Sequence, residues 1–196
     1  MDHPTQACSC CAEHDAYCDR CDIFFGIDGI HVTAVGRDDD GLTVTVEAPR
    51  RLKGCRRCGV VAVSHGRRTR VIHDISALGA PVRVIWRKRT WSCPDPDCQV
   101  GVFSEDFPPL AARRAKLTTR AIWWAINQMR REHASVQGLA RQLGVDWHTV
   151  WDAIKPELET MAKDESRFAG VQILGVDEHL CGTTPPTRPR TRAPRR

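Results

Sequence analysis

The chain has 196 residues, enough for one ordinary domain or two small ones. Hydrophobic residues make up 41% and charged residues 27%, which excludes collagen-like and fully disordered chains. No apolar run approaches the ~20 residues of a membrane-spanning helix, and the first residues lack the basic and apolar stretches of a secretory signal. We therefore expect a soluble cytoplasmic protein with no membrane partner.

The net charge of +5 is unevenly distributed along the chain. Residues 51–134 carry 17 basic and 6 acidic side chains, whereas residues 1–50 carry 3 and 10. A concentrated basic segment suits a polyanion such as nucleic acid. On charge alone, a solvated basic surface without a ligand is an equally good interpretation.

The N-terminal half of the chain is predicted to be rich in β-structure. Residues 1–21 form a cysteine-rich leader, and alternating apolar residues on both sides of a polar turn predict a β-hairpin within residues 23–48. Short β-branched runs follow at residues 60–63 and 82–86, framed by pairs of cysteines. We assign residues 22–110 to one β-rich domain.

The C-terminal half changes to a helical period. Apolar residues recur on one face from about Arg113, and two shorter helices are expected at residues 135–143 and 147–154. Pro156 either ends the last helix or opens another as its first residue. We assign residues 111–168 to a helical domain, which makes the predicted fold class α+β.

The last part of the chain is predicted to contain one strand and a disordered tail. The apolar run at residues 171–176 is most simply a β-strand, and we assign residues 169–180 to a separate segment. Residues 181–196 consist mainly of Pro, Thr and Arg, with too few apolar side chains to build a core.

Two cysteine pairs in the basic segment predict a zinc ribbon. Ten cysteines without a secretion signal point to metal binding, because the cytosol keeps thiols reduced. Two residues separate Cys55 from Cys58, and four separate Cys93 from Cys98, so two tight turns can aim four thiolates at one ion. A closed shell leaves no open coordination site, so we predict a structural Zn²⁺ on which folding of this segment depends. Two histidines between the pairs offer replacement ligands, His65 and His73.

The leader offers a second, less regular set of cysteines. Cys18 and Cys21 have the spacing of one half-site, and the other half would come from Cys8, Cys10 or Cys11. A second zinc and a group of loosely held reactive thiols are both compatible with this spacing.

Two basic runs in the ribbon segment are candidates for phosphate contacts, which give affinity without sequence information. The first contains Arg67, Arg68 and Arg70, and the second contains Arg83, Arg87, Lys88 and Arg89. The tryptophans of the second run, Trp86 and Trp91, are expected to pack beneath the ribbon rather than stack on bases.

The spacing of Ala140, Gly144 and Val150 resembles a helix-turn-helix. Small Ala140 lies where two helices would touch, and Gly144 closes the first helix in a left-handed conformation. The second helix would enter the major groove with its N-terminal residues at base edges. The predicted base contacts are Trp147, His148 and Asp152, and the predicted phosphate contacts are Arg141 and Lys155. An ordinary three-helix bundle without a ligand is the alternative; Trp123 and Trp124 of the preceding helix are assigned to its core.

The order of these parts resembles the ISL family of bacterial insertion-sequence transposases. The resemblance covers roughly residues 22–180 and includes the cysteine pairs, the Trp-Arg-Lys-Arg-Thr-Trp-Ser-Cys run at 86–93, Leu-Thr-Thr-Arg at 117–120, the helix-turn-helix and Leu-Gly-Val-Asp-Glu-His at 174–179. It implies that the zinc region and the helix-turn-helix recognise terminal inverted repeats, before an RNase H-like domain with an Asp-Asp-Glu triad. It also implies that Asp177 is the first triad carboxylate, one of those that hold two divalent ions such as Mg²⁺.

The sequence departs from that family after Leu180, where no second Asp and no Glu of the triad follow. We therefore expect a truncated, nucleoid-associated DNA-binding fragment that is inactive in DNA recombination by itself. Its partners would be double-stranded DNA and, as protein partners, a second copy or a full-length transposase. The alternatives are a zinc-dependent transcriptional regulator, an active enzyme completed by frameshifting, and a decayed remnant.

Overall fold

A computed structural model describes residues 17–173 and residue 175. These residues form a mixed α+β fold, which confirms the predicted class. The helices are α1 (Asp19–Phe25), α2 (Thr119–Arg131), α3 (Val136–Leu143) and α4 (Trp147–Lys163), followed by a 3₁₀ turn at Glu165–Phe168. The strands are β1 (His31–Asp38), β2 (Gly41–Glu47), β3 (Val63–Ala77), β4 (Ala80–Ser92) and β5 (Val102–Ser104).

The five strands form one sheet in the order β1-β2-β4-β3, with β5 paired to the far end of β4. The predicted hairpin is confirmed as the antiparallel pair β1–β2. The cysteine-framed region is a second, longer hairpin, β3–β4, whose β4 strand also runs parallel to β2. The prediction of a β-run starting at Val60 was wrong, because the chain there closes the first cysteine turn, with only a single bridge between Val61 and Gly54.

One face of the sheet is covered by an apolar core. Trp86, Val84 and Ile72 are fully buried on neighbouring strands, and the side chains packed around them come from the chain before β1 and from the loop after β5. Trp86 and Trp91 are both buried, as expected for packing residues. This core fixes the two strands that carry most of the predicted phosphate contacts.

Helix α1 was not predicted from the sequence. It occupies residues assigned to the leader and to the start of the hairpin, and Gly26 ends it with a left-handed φ of 67°. Only Phe25 of this helix is buried, so the helix has no apolar stripe that a sequence pattern can reveal.

The three helices of the C-terminal half are present, with two corrections. Helix α2 begins at Thr119 rather than near Arg113, because Leu117 forms a bridge beside His73 of β3 and Thr118 caps the helix. Helix α4 continues through Pro156 to Lys163. The proline removes one helical donor, but its side chain and Asp152, four residues earlier, are exposed, so water can satisfy the freed carbonyl.

A second apolar core joins α2, α3 and α4. Leu117, Ala125 and Ile126 pack against Leu139, Ala140, Leu143, Val150 and Ile154, all with at most 1% exposure. Trp124 packs at the edge of this core, whereas the assignment of Trp123 to the core was wrong, since its side chain is 43% exposed. The exposed Trp123 faces a groove between α2 and the chain after α1.

The carboxylate of Asp74 ties the sheet to the helices. Asp74 lies on β3 with 1% exposure, accepts a 2.6 Å hydrogen bond from the Thr118 hydroxyl, and pairs with the guanidinium of Arg120. Arg120 also donates to the carbonyl of Phe25 and stacks 4.6 Å from the centre of its ring. One buried charge thus connects β3, α1 and the start of α2.

The chain divides into two compact units after Ala162. Within the second unit, the described residues 171–173 and 175 lie outside any helix or strand, so the structure does not support a β-strand there. The physical reason is that a lone strand leaves its backbone donors and acceptors without a neighbour. Asp177 and the predicted disordered tail lie outside the described residues.

We predict that Asp74→Asn lowers the free energy of unfolding by about 3 kcal/mol, because Arg120 and Thr118 lose a buried ionic partner. Urea denaturation followed by circular dichroism measures the change. Asp39→Asn, at an exposed hairpin turn, is the matched control and should change stability by less than ~0.5 kcal/mol. Equal stability of the two variants would contradict the role given to Asp74.

Candidate metal centre and nucleic-acid interface

Two tight turns present the four predicted cysteines. In the first, the backbone N–H of Gly59 donates to the Cys55 carbonyl at 3.1 Å, and Gly59 adopts a left-handed φ of 75°. In the second, the backbone N–H of Cys98 donates to the Asp95 carbonyl at 3.2 Å. Each turn holds two thiols on the same side of the chain, as the spacing predicts.

The four sulfur atoms form one cluster at the end of the β3–β4 hairpin. All four lie within 4.8 Å of one another, with 3.7 Å between Cys55 and Cys98 and 3.5 Å between Cys58 and Cys93. Four thiolates around one tetrahedral ion at ~2.3 Å would lie about 3.8 Å apart. The cluster therefore has the size and the donor set of a metal site.

The thiols differ in acidity. Hydrogen bonds from the backbone of Arg57 and of Cys58 lower the pKa of Cys55 to about 6. For Cys58, a backbone hydrogen bond from Val60 lowers the pKa, but desolvation and the neighbouring thiols raise it to about 12. Desolvation also raises the pKa of Cys93. A metal ion must displace protons from Cys58 and Cys93, so metal affinity falls as the pH is lowered.

The other predicted metal ligands lie elsewhere. Among the described residues the cluster contains only the four cysteines, and His73 instead contacts the carbonyl of Leu143 at 3.2 Å. His65 is exposed on β3. Cys18 and Cys21 lie at the start of α1, while Cys8, Cys10 and Cys11 lie outside the described residues, so the second zinc stays a prediction.

The predicted turn between α3 and α4 has the expected geometry. Gly144 has a φ of 66°, and the backbone N–H groups of Gly144 and Val145 donate to the carbonyls of Arg141 and Ala140. This is a Schellman ending, in which a residue without a side chain takes the left-handed position. A Cβ on Gly144 would lie 2.9 Å from the Cβ of Pro81, so the turn also packs closely on the tip of the β3–β4 hairpin.

Helix α4 presents aromatic side chains at its N-terminus. Trp147 is 44% exposed and stacks on the ring of His148, with 3.5 Å between the centroids. Asp152 is exposed one turn further on, and Trp151, which sequence reasoning did not name, is exposed beside it. Trp147 and Trp151 are four residues apart, so the sequence alone could have placed both on one face of this helix.

The two predicted phosphate contacts of the helical region are also solvent-accessible. Arg141 is exposed near the end of α3. Lys155 is exposed on α4, where its ammonium lies 3.8 Å from the carboxylate of Glu159. An exposed pair of this kind is weak and leaves the lysine available to a phosphate.

Most of the predicted basic contacts of the sheet have partners inside the fold. Glu47 pairs with Arg67 at 3.2 Å and with Arg89 at 3.4 Å. Arg83 pairs with Asp38 at 2.5 Å, on the hairpin turn of β1 and β2. The pair of Glu47 and Arg89 joins the neighbouring strands β2 and β4, whereas Arg67 and Arg83 each reach a carboxylate across an intervening strand.

Arg70 and Lys88 also make contacts within the fold. Arg70 donates to the carbonyls of Ala112 and Ala115 in the chain before α2, and burial lowers its pKa. Lys88 is 9% exposed, and its ammonium lies over the ring of Trp86. Among the described residues, the predicted contacts that are exposed and make no ion pair within the sheet are Arg68 and Arg87.

Comparison with known proteins identifies the helical part. Residues 105–156 match the family model of the helix-turn-helix domain of transposase family ISL3. The resemblance to the ISL transposase family is confirmed. The matched residues run from just after β5 to the middle of α4, so the matched region includes the loop whose carbonyls Arg70 binds. No curated protein and no solved structure gives a significant match.

No helix among the described residues is long and apolar enough to cross a membrane. The helix-turn-helix region contacts the tip of the β3–β4 hairpin, and a four-cysteine cluster that can hold a metal ion lies at the other end of the same hairpin. The roles of the individual DNA-contacting residues, and of Asp177, stay predictions.

We predict that Cys58→Ser lowers the bound divalent metal by one equivalent per chain, because three thiolates no longer close the shell. Metal content of the purified protein, measured by inductively coupled plasma mass spectrometry, tests this. Asp97→Asn in the second turn is the control and should keep the wild-type content. An unchanged metal content in Cys58→Ser would contradict a four-thiolate site.

Proposed function

We propose that this chain is the DNA-binding part of a transposase, and that it recognises the terminal inverted repeats of an insertion sequence. The observation that carries the proposal is the match of residues 105–156 to the ISL3 helix-turn-helix, in a segment whose turn has the required left-handed glycine. In such a motif the second helix lies in the major groove and its first residues reach base edges.

The metal in the four-cysteine cluster is proposed to be zinc. Four thiolates at tetrahedral spacing suit Zn²⁺, and a shell closed by protein ligands gives it a structural role. The ion would hold the two turns together at the end of the long hairpin and would take no part in chemistry on DNA.

Helix α4 is proposed to supply sequence recognition. The stacked rings of Trp147 and His148 form a rigid exposed pair that can contact thymine methyl groups and base edges, and Asp152 can accept a hydrogen bond from cytosine. Arg141 and Lys155 would contact phosphates on either side of the groove.

A catalytic step is not assigned to residues 1–196 alone. Strand transfer on two divalent ions needs several carboxylates, and residues 181–196 contain no Asp or Glu. Asp177 is proposed as the first of those carboxylates, and Mg²⁺ would be bound only when another segment or chain supplies the rest.

We predict that the protein binds a duplex carrying the inverted repeats that flank its gene at least about 10³-fold more tightly than a random duplex of equal length. Fluorescence anisotropy near physiological salt measures both affinities. Trp147→Ala should reduce the ratio about tenfold, because a base-edge contact is worth ~1–3 kcal/mol.

Trp123→Ala is the matched control, because Trp123 is equally exposed on α2 and lies outside the proposed interface. Equal affinity for both duplexes would overturn end recognition. Tight binding at the promoter of another gene, without preference for the repeats, would favour a transcriptional regulator.

A further inference from the structure

A basic cavity lies between the sheet and the first cysteine turn. Its volume is about 260 Å³, and the residues that line it come from β3, β4, β5 and the neighbouring loops. Charged and hydroxyl side chains dominate the lining: Arg56, Arg68, Lys88, Arg113, Thr90, Ser104 and Asp106. The cavity is distinct from the exposed face of α4 and from the metal cluster.

The arrangement of charge in this cavity is unfavourable by itself. Four cationic side chains line it, and Asp106 is the one carboxylate among the residues that line it. Arg68 and Lys88 lie directly opposite each other on antiparallel strands, a position where like charges destabilise a sheet. Among the described residues, Arg68 and Arg113 make no ion pair, so both guanidinium groups are available to an anion.

Lys88 is the most deeply placed of these cations. It is 9% exposed, its ammonium lies 4.3 Å from the centre of the Trp86 ring, and no described carboxylate comes within ion-pair distance of it. Desolvation and the charge of Arg70 lower the pKa of Lys88, while Asp106 and Glu105 oppose that shift. Burying an ammonium without an ionic partner is costly unless a ligand provides one.

The cavity is also linked to the metal centre. Arg56 lies between Cys55 and Cys58 in the first turn, donates to the Ser104 carbonyl at 3.0 Å, and is 3.8 Å from Asp106. A metal ion that orders this turn therefore also orders one wall of the cavity.

We propose that this cavity binds a backbone phosphate of DNA, with Arg68 and Arg113 as its principal contacts. Guanidinium groups match phosphate oxygens with paired donors, and the Lys88 ammonium and the Thr90 hydroxyl add donors at the base. A volume of about 260 Å³ is smaller than a typical small-molecule pocket and suits one phosphate group. This inference rests on the proposed function and adds Arg56 and Arg113, which sequence reasoning did not name.

The salt dependence of DNA binding tests the proposal. The affinity of Arg68→Gln, of Arg113→Gln and of the wild type for a random duplex is measured by anisotropy at several salt concentrations. Each variant should lower the slope of log affinity against log salt by about one and weaken binding about tenfold at low salt. Arg37→Gln, an exposed arginine on β1, is the matched control and should leave the slope unchanged.

Asp106→Asn provides a test with the opposite sign. Its carboxylate competes with phosphate for the same cations, so its removal should tighten DNA binding about threefold or more. If the cavity had a purely structural role, Asp106→Asn would not increase the affinity for DNA. Thermal melting in inorganic phosphate, compared with chloride at equal ionic strength, tests whether the cavity binds phosphate itself. Stabilisation by phosphate that Arg68→Gln abolishes supports an anion site.

The outcomes separate this inference from the proposed function. If Arg68→Gln and Arg113→Gln keep the wild-type slope of log affinity against log salt, and the inverted repeats are still preferred, the phosphate site alone is overturned. Reduced slopes without preference for the repeats would support the phosphate site and overturn end recognition. Absence of any DNA binding by the folded wild type would overturn both.

Discussion

The buried carboxylate of Asp74 is the constraint on which the rest of the structure depends. It accepts hydrogen bonds from Thr118 and Arg120 at the start of α2, while Arg120 reaches the end of α1. Because Thr118 also caps α2, the position of that helix is set by the sheet rather than by its own sequence. The helix-turn-helix region is thereby held against β3, and its turn meets Pro81 at the hairpin tip.

The β3–β4 hairpin connects the four-cysteine cluster to the helix-turn-helix region. At one end, His73 and Pro81 contact the end of α3 and the turn after it. At the other end, β4 leads directly from Ser92 into the second cysteine turn. The apolar core around Trp86 packs on the strands between these two ends, so the four-cysteine cluster and the turn before α4 are held at opposite ends of one hairpin.

Local patterns predicted the parts of this fold whose interactions are local. The β1–β2 hairpin, the two cysteine turns and the glycine ending of α3 follow from alternation, spacing and the conformation that only glycine adopts readily. The start of α2 was misplaced because a tertiary bridge between Leu117 and His73 overrode the helical period. Helix α1 was missed because its one buried residue, Phe25, is held by an arginine distant in sequence.

The predicted DNA contacts also depended on tertiary contacts that the sequence does not reveal. The seven basic residues of the two runs could not be distinguished from the sequence. Their exposure and ion pairing depend on which strands are neighbours in the sheet, and the sequence does not show this. In the fold, Glu47 pairs with both Arg67 and Arg89, and Arg70 binds two carbonyls. Arg113, where the sequence predicted the start of a helix, instead lies in a loop and joins Arg68 at the basic cavity.

The uneven charge of the chain suggests different contributions to DNA binding from the basic segment at residues 51–134 and from α4. The exposed N-terminal face of α4 carries Trp147, His148 and Asp152, and residues 135–180 hold 8 acidic and 4 basic side chains. Under the proposed function, this face would gain little from phosphate attraction, so its contribution would be discrimination between bases. Most of the affinity for DNA would then come from the basic segment at residues 51–134. Because the cavity and α4 both pack on the same hairpin, a phosphate held at the cavity would also influence where α4 meets the groove in the proposed complex.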